Sequence, residues 1–143
     1  MVDSRTLYHA ITDFLLTPFE KVDVSPNAVS WFSLLMSISV YLFFSLNLVT
    51  YGILSLFFVL FLDALDGFLA RKTHLLSFDG LVVDASCDRL SEFLIFYPSL
   101  LWLALTAVNC YVTFWRLKNE RILILPLRHL FLLITVLGFF RLI

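Results

Sequence analysis

Asp63-Ala64-Leu65-Asp66-Gly67-Phe68-Leu69-Ala70-Arg71, eight further residues, then Gly80-Leu81-Val82-Val83-Asp84-Ala85-Ser86-Cys87-Asp88: these two segments set four aspartates in a largely apolar sequence. Seven unbroken apolar residues, Leu56 through Leu62, lead into Asp63, so the helix is already in lipid when the carboxylates arrive. Ionisable groups at membrane depth are costly to bury, so they are rare and usually functional. Spacings of three and four put each aspartate pair on one face of its helix. Two such helices face to face converge four carboxylates on one point. Oxygen-only donors suit hard divalent cations such as Mg²⁺, Mn²⁺ or Ca²⁺.

Composition agrees with a lipid setting. Of 143 residues 61% are hydrophobic, with 16 Phe, more apolar surface than a soluble core of this size can hide. The length allows one membrane domain, 1–143, in which 1–25 form an interfacial N-terminal segment and 26–143 a transmembrane bundle. A net charge of -1 argues against a nucleic-acid partner. Polar residues Asp3, Arg5, His9, Asp13 and Glu20 interrupt the N-terminus, so no cleavable signal peptide is expected. Cys87 and Cys110 lack metal-ligand spacing and read as small buried residues.

Helical spacing of Leu7, Ile11, Phe14, Leu15 and Phe19 predicts a helix over 6–22 lying in the membrane interface, with a kink at Pro18. Ser25-Pro26-Asn27 then supplies a turn and a helix start. Five membrane-length segments follow, at about 28–48, 51–71, 80–98, 99–115 and 125–142. The fold class is therefore an all-α integral membrane protein of about five transmembrane helices plus the interfacial helix. Arg5, Lys21, Arg71, Lys72, Arg116, Lys118 and Arg121 all fall outside the span interiors on one side, Arg128 opens the fifth span there, and only Arg141 falls on the other side. The turns near 46–51 and 96–101 carry no charge. The positive-inside rule places the N-terminus, both charged loops and the aspartates at the cytoplasmic face of a multi-pass cell-membrane protein.

Gly67 and Ala70 flank the first aspartate pair, and small residues let a ligand approach the backbone closely. Arg71, one turn beyond Gly67, can clamp a phosphate in bidentate fashion, and Gly80 offers a second close approach one turn before Asp84. Carboxylates, glycines and a guanidinium together describe a metal–pyrophosphate site better than a cation pathway, which gains nothing from an adjacent arginine.

The full pattern resembles the signature of the CDP-alcohol phosphotransferases, which move a phosphatidyl-type group from a CDP-linked lipid to an alcohol and release CMP. The resemblance runs from about Pro26 to Arg128. It implies a six-helix membrane enzyme, commonly a homodimer, with two divalent cations (Mg²⁺ or Mn²⁺) open to the cytoplasm. Asp63, Asp66, Asp84 and Asp88 match the metal-binding aspartates, and Asp88 also matches the proposed proton acceptor. Gly67, Arg71 and Ser77 correspond to contacts with the CDP moiety, and Gly80 to the second signature glycine. Pro26-Asn27-Ala28-Val29-Ser30 resembles a family turn that touches the nucleotide lipid, with Ser30 in place of Thr.

Asp84-Ala85-Ser86-Cys87-Asp88-Arg89-Leu90-Ser91-Glu92 looks closest to the branch that uses inositol phosphate, and Arg128 resembles a family arginine opening the fifth helix. An anionic acceptor at Arg128 is the resulting expectation; glycerol phosphate or serine are alternative acceptors. The family's basic pair late in the fourth helix falls on Thr113 and Trp115 here. His74 and His129 read as interfacial residues rather than ligands. A short, catalytically impaired paralogue and a carboxylate-based cation carrier are the competing readings.

Overall fold

The computed structural model describes residues 14, 16–19, 24–72, 78–97, 99–119 and 126–141. Those residues form five α-helices: α1 Pro26–Ser45, α2 Val49–Lys72, α3 Phe78–Phe96, α4 Leu100–Asn119 and α5 Leu127–Arg141. They fall where the five apolar segments predicted them. A 3₁₀ turn at Thr17–Phe19 precedes them. The rest of the predicted interfacial helix, and Ser77, lie outside the described residues.

Local sequence sets the first two helices. Ser25 caps α1 by accepting from the Ala28 N–H at 3.3 Å, and Pro26 occupies the first turn, where no amide donor is needed. At its other end Asn47 adopts φ 59°, a left-handed conformation that Asn tolerates. The Leu48 N–H then donates to Phe43 O at 2.8 Å and the Asn47 N–H to Phe44 O at 3.1 Å. This double closure satisfies the last carbonyls of α1 and reverses the chain tightly into α2. α1 packs most extensively on α2 and then on α3; α4 packs on α3 and α5 on α2.

The exposure pattern is inverted relative to a water-soluble bundle. Leu100, Tyr111, Phe57 and Leu35 are exposed, whereas the buried side of α4 is Thr106, Asn109 and Thr113. Lipid solvates the apolar outside, so association rests on close packing and interhelical hydrogen bonds. α1, α2 and α4 are long and apolar enough to cross a membrane; α3 has similar length but carries the carboxylates, and α5 is a shorter apolar helix.

Two apolar clusters bracket the polar residues. Val29, Leu62, Leu65, Phe68 and Leu69 pack between α1 and α2. Val40, Leu56, Val59, Ile95, Phe96 and Leu127 join α1, α2, α3 and α5. An aromatic knot extends the second: Phe96 stacks on Trp102 at 5.0 Å, and Phe131 sets its edge to both Phe96 (5.0 Å) and Phe44 (5.7 Å).

Gly52 lets α2 pass the Phe44 ring; a Cβ there would lie 2.8 Å from Phe44 Cε1, and Phe131 restricts how far that ring can move. Gly52→Val should therefore destabilise the bundle by about 1–3 kcal/mol, as overpacking does. Gly138 has open space around it. Gly138→Ala should leave thermal unfolding in detergent unchanged or raise its midpoint slightly. Equal midpoints for Gly52→Val and the parent would show that this helix contact is not tight.

Candidate functional site

The four aspartates come from the last turns of α2 and the middle of α3, and α1 supplies their hydroxyl partners. Ser30 Oγ donates to Asp66 Oδ2 at 2.7 Å with both residues buried. One turn on, Ser33 Oγ donates to Asp63 Oδ1 at 2.9 Å. The two serines are three residues apart, as are the two aspartates, so adjacent antiparallel helices present matched rungs.

Arg128, at the start of α5, reaches the opposite side of the cluster. Its Nη2 lies 2.6 Å from Asp63 Oδ2 and 2.5 Å from Asp88 Oδ1, and its Nη1 donates to Ser91 Oγ at 3.1 Å. The residue is only 6% exposed. A guanidinium does not lose its proton in proteins, so it is tolerable at this depth only when paired. The aspartates thus gather as two pairs: Asp63 with Asp88 across Arg128, and Asp66 with Asp84 on a cavity wall.

That cavity has a volume of about 320 Å³. Asn27, Ser30, Gly67, Arg71 and Gly80 line it together with Asp66 and Asp84. It thus brings together every described residue that the sequence pattern assigned to the nucleotide. A Cβ at Gly67 would point to Arg71 Nη1 at 3.5 Å, so the absence of a side chain there keeps the space before the guanidinium open. The basic pair's positions carry no charge: Thr113 is buried and Trp115 exposed.

Sequence reasoning overlooked a second polar layer. Glu92 is buried and accepts from Asn109 Nδ2 on α4 at 3.0 and 3.2 Å, while Arg89 Nη1 donates to it at 3.0 Å. Arg89 Nη2 also stands 3.6 Å from Asp88 Oδ2. Ser33 and Asn109 had readable signals: Ser30, Ser33 and Ser37 repeat on one face of α1, and Asn109 is an amide inside an apolar span. Ser91 was read only as part of the pattern that resembles the inositol-phosphate-using branch.

The donor chemistry of the four carboxylates suits a hard divalent ion. Among the described residues, however, no three His, Cys, Asp or Glu side chains stand close enough to hold one together. Arg128 supplies a positive charge between Asp63 and Asp88.

The model of one protein family, described as CDP-alcohol phosphatidyltransferase, matches residues 23–141. No curated protein and no solved structure gives a significant match.

Ser30→Ala removes the hydroxyl donor of a buried carboxylate and should cost about 1–3 kcal/mol of stability. Ser30→Thr, which keeps the hydroxyl, should recover most of it. Thermal unfolding in detergent reads both, and an unaltered midpoint for Ser30→Ala would show that Asp66 does not depend on this bond.

Proposed function

Because the chain belongs to the CDP-alcohol phosphatidyltransferase family, we propose that it transfers a phosphatidyl or archaetidyl group from a CDP-linked lipid to a small anionic alcohol, inositol phosphate in the first instance. The family's chemistry makes the chain a membrane transferase of phospholipid biosynthesis, and the family is generally divalent-cation dependent. The acceptor and the residue roles below are the proposal. The observation that carries it is the shared cavity, where Asn27, Ser30, Gly67, Arg71 and Gly80 meet Asp66 and Asp84.

In this reading Asp63, Asp66, Asp84 and Asp88 hold two Mg²⁺ or Mn²⁺ ions. When bound, the ions offset the charge of the diphosphate and of the departing CMP. The protein's own groups position and exchange protons. Gly67 and Gly80 leave room for the diphosphate beside the backbone, and Arg71 donates to its oxygens. Asn27, Ser30 and Ser77 hold the rest of the CDP moiety. Asp88 accepts the acceptor hydroxyl's proton as that oxygen bonds to the lipid-bearing phosphorus. The bond from this phosphorus to the CMP oxygen breaks, and the electron pair leaves with CMP. Arg128 binds the acceptor's anionic group. The protein works as a homodimer in the cell membrane, with the site facing the cytoplasm, where the soluble acceptor is drawn.

CMP release from CDP-lipid by the purified protein, assayed over a panel of alcohols, tests the reading. Turnover should vanish with EDTA, return with Mg²⁺ or Mn²⁺, and be fastest with a phosphorylated acceptor. Full turnover in chelator would sink the metal assignment, and no CMP release with any alcohol would sink the transferase.

Asp88→Asn should lower kcat by about 10²–10⁴-fold, as loss of a general base does, and change CDP-lipid binding much less. Wild-type turnover in that variant would exclude Asp88 as proton acceptor.

A further inference from the structure

The three-helix contact at Arg128 has a bearing on how the site is loaded. Nη2 sits 2.6 Å from Asp63 Oδ2 and 2.5 Å from Asp88 Oδ1. A divalent cation held by Asp63 and Asp88 would draw on these same carboxylates. The two cations therefore claim one volume, and only one of them can occupy it. Arg89 Nη2 also stands 3.6 Å from Asp88 Oδ2, on the carboxylate oxygen that Arg128 leaves.

Asp63 is already oriented for either cation. Ser33 fixes Oδ1 from α1, leaving Oδ2 toward α5. Among the described residues, Arg128 is anchored outside the carboxylates by the Ser91 hydroxyl. That single neutral bond cannot replace two charge-assisted ones at a position 6% exposed.

We infer that Arg128 is the resident cation of the Asp63–Asp88 pair, which a divalent ion displaces, so that metal loading and presentation of a free guanidinium are one event. The inference rests on the reading above that these aspartates hold metal. The displaced guanidinium keeps its charge and needs a new anion. An anionic acceptor therefore meets an available Arg128 only on the metal-loaded protein, which orders binding as metal first and acceptor second. Arg128 also spares the metal-free protein the repulsion of two half-buried carboxylates.

Mn²⁺ titration followed by electron paramagnetic resonance tests this on the full chain in detergent, with no substrate present. Arg128→Gln should bind Mn²⁺ at least about ten-fold more tightly than the parent, because the competing buried charge is gone. Arg128→Lys, which retains a charge but not the forked geometry, should fall between the two and serves if the Gln variant does not fold. Arg71→Gln removes the same charge from the neighbouring cavity wall without touching the Asp63–Asp88 pair, and should change affinity several-fold less. Equal affinity in the parent, Arg128→Gln and Arg128→Lys overturns displacement and leaves the metal assignment standing. Tightening as large in Arg71→Gln as in Arg128→Gln also overturns it, since charge alone would then account for the effect. No Mn²⁺ binding by any form overturns the metal assignment itself, and this inference with it.

Discussion

Carboxylates set within an apolar bundle are costly unless a cation or a hydrogen-bond donor meets them, and this constraint organises the molecule. Each helix other than α4 contributes directly to meeting it. α2 and α3 bring the acids, α1 brings Ser30 and Ser33, and α5 brings Arg128. α4 contributes one step removed, through Asn109 on Glu92. Removing one partner of a buried ion pair typically costs about 3–5 kcal/mol, comparable to a large share of a small protein's net stability. The polar interior is thus both the candidate site and a constraint on how the helices pack.

The apolar parts take the supporting role. With lipid outside, burying Leu or Phe gains little over leaving it exposed, so packing must come from shape. Gly52 admitting the Phe44 ring and the Phe44–Phe131–Phe96–Trp102 contacts serve that purpose. They join α1, α3, α4 and α5 away from the carboxylates.

Much of this was legible in the sequence because the strongest signals were local. The break at Asn47, the Ser25-Pro26 start and the aspartate spacings depend on residues within a few turns, and each appears where it was read. The cavity also gathers Asn27, Gly67, Arg71 and Gly80, which are distant in the chain but share a signature. Arg128 was different. Its residue type and helix position suggested an acceptor contact, but its partner is chosen by how α5 packs on α2, a tertiary choice that no local pattern encodes. The Glu92–Asn109 pairing was missed for the same reason: a buried amide and a buried acid are each readable, whereas their pairing across 17 positions is not.

The central claim is that the four aspartates and the adjoining cavity form one metal–nucleotide site. Anomalous scattering from Mn²⁺ in crystals grown with CDP-lipid addresses it most directly. The account expects Mn²⁺ peaks at ordinary coordination distance from Asp63, Asp66, Asp84 and Asp88. It also expects Arg128 withdrawn from between Asp63 and Asp88, and the diphosphate against Gly67 and Arg71. Mn²⁺ bound elsewhere, or a nucleotide outside the cavity while Arg128 still bridges Asp63 and Asp88, would contradict it.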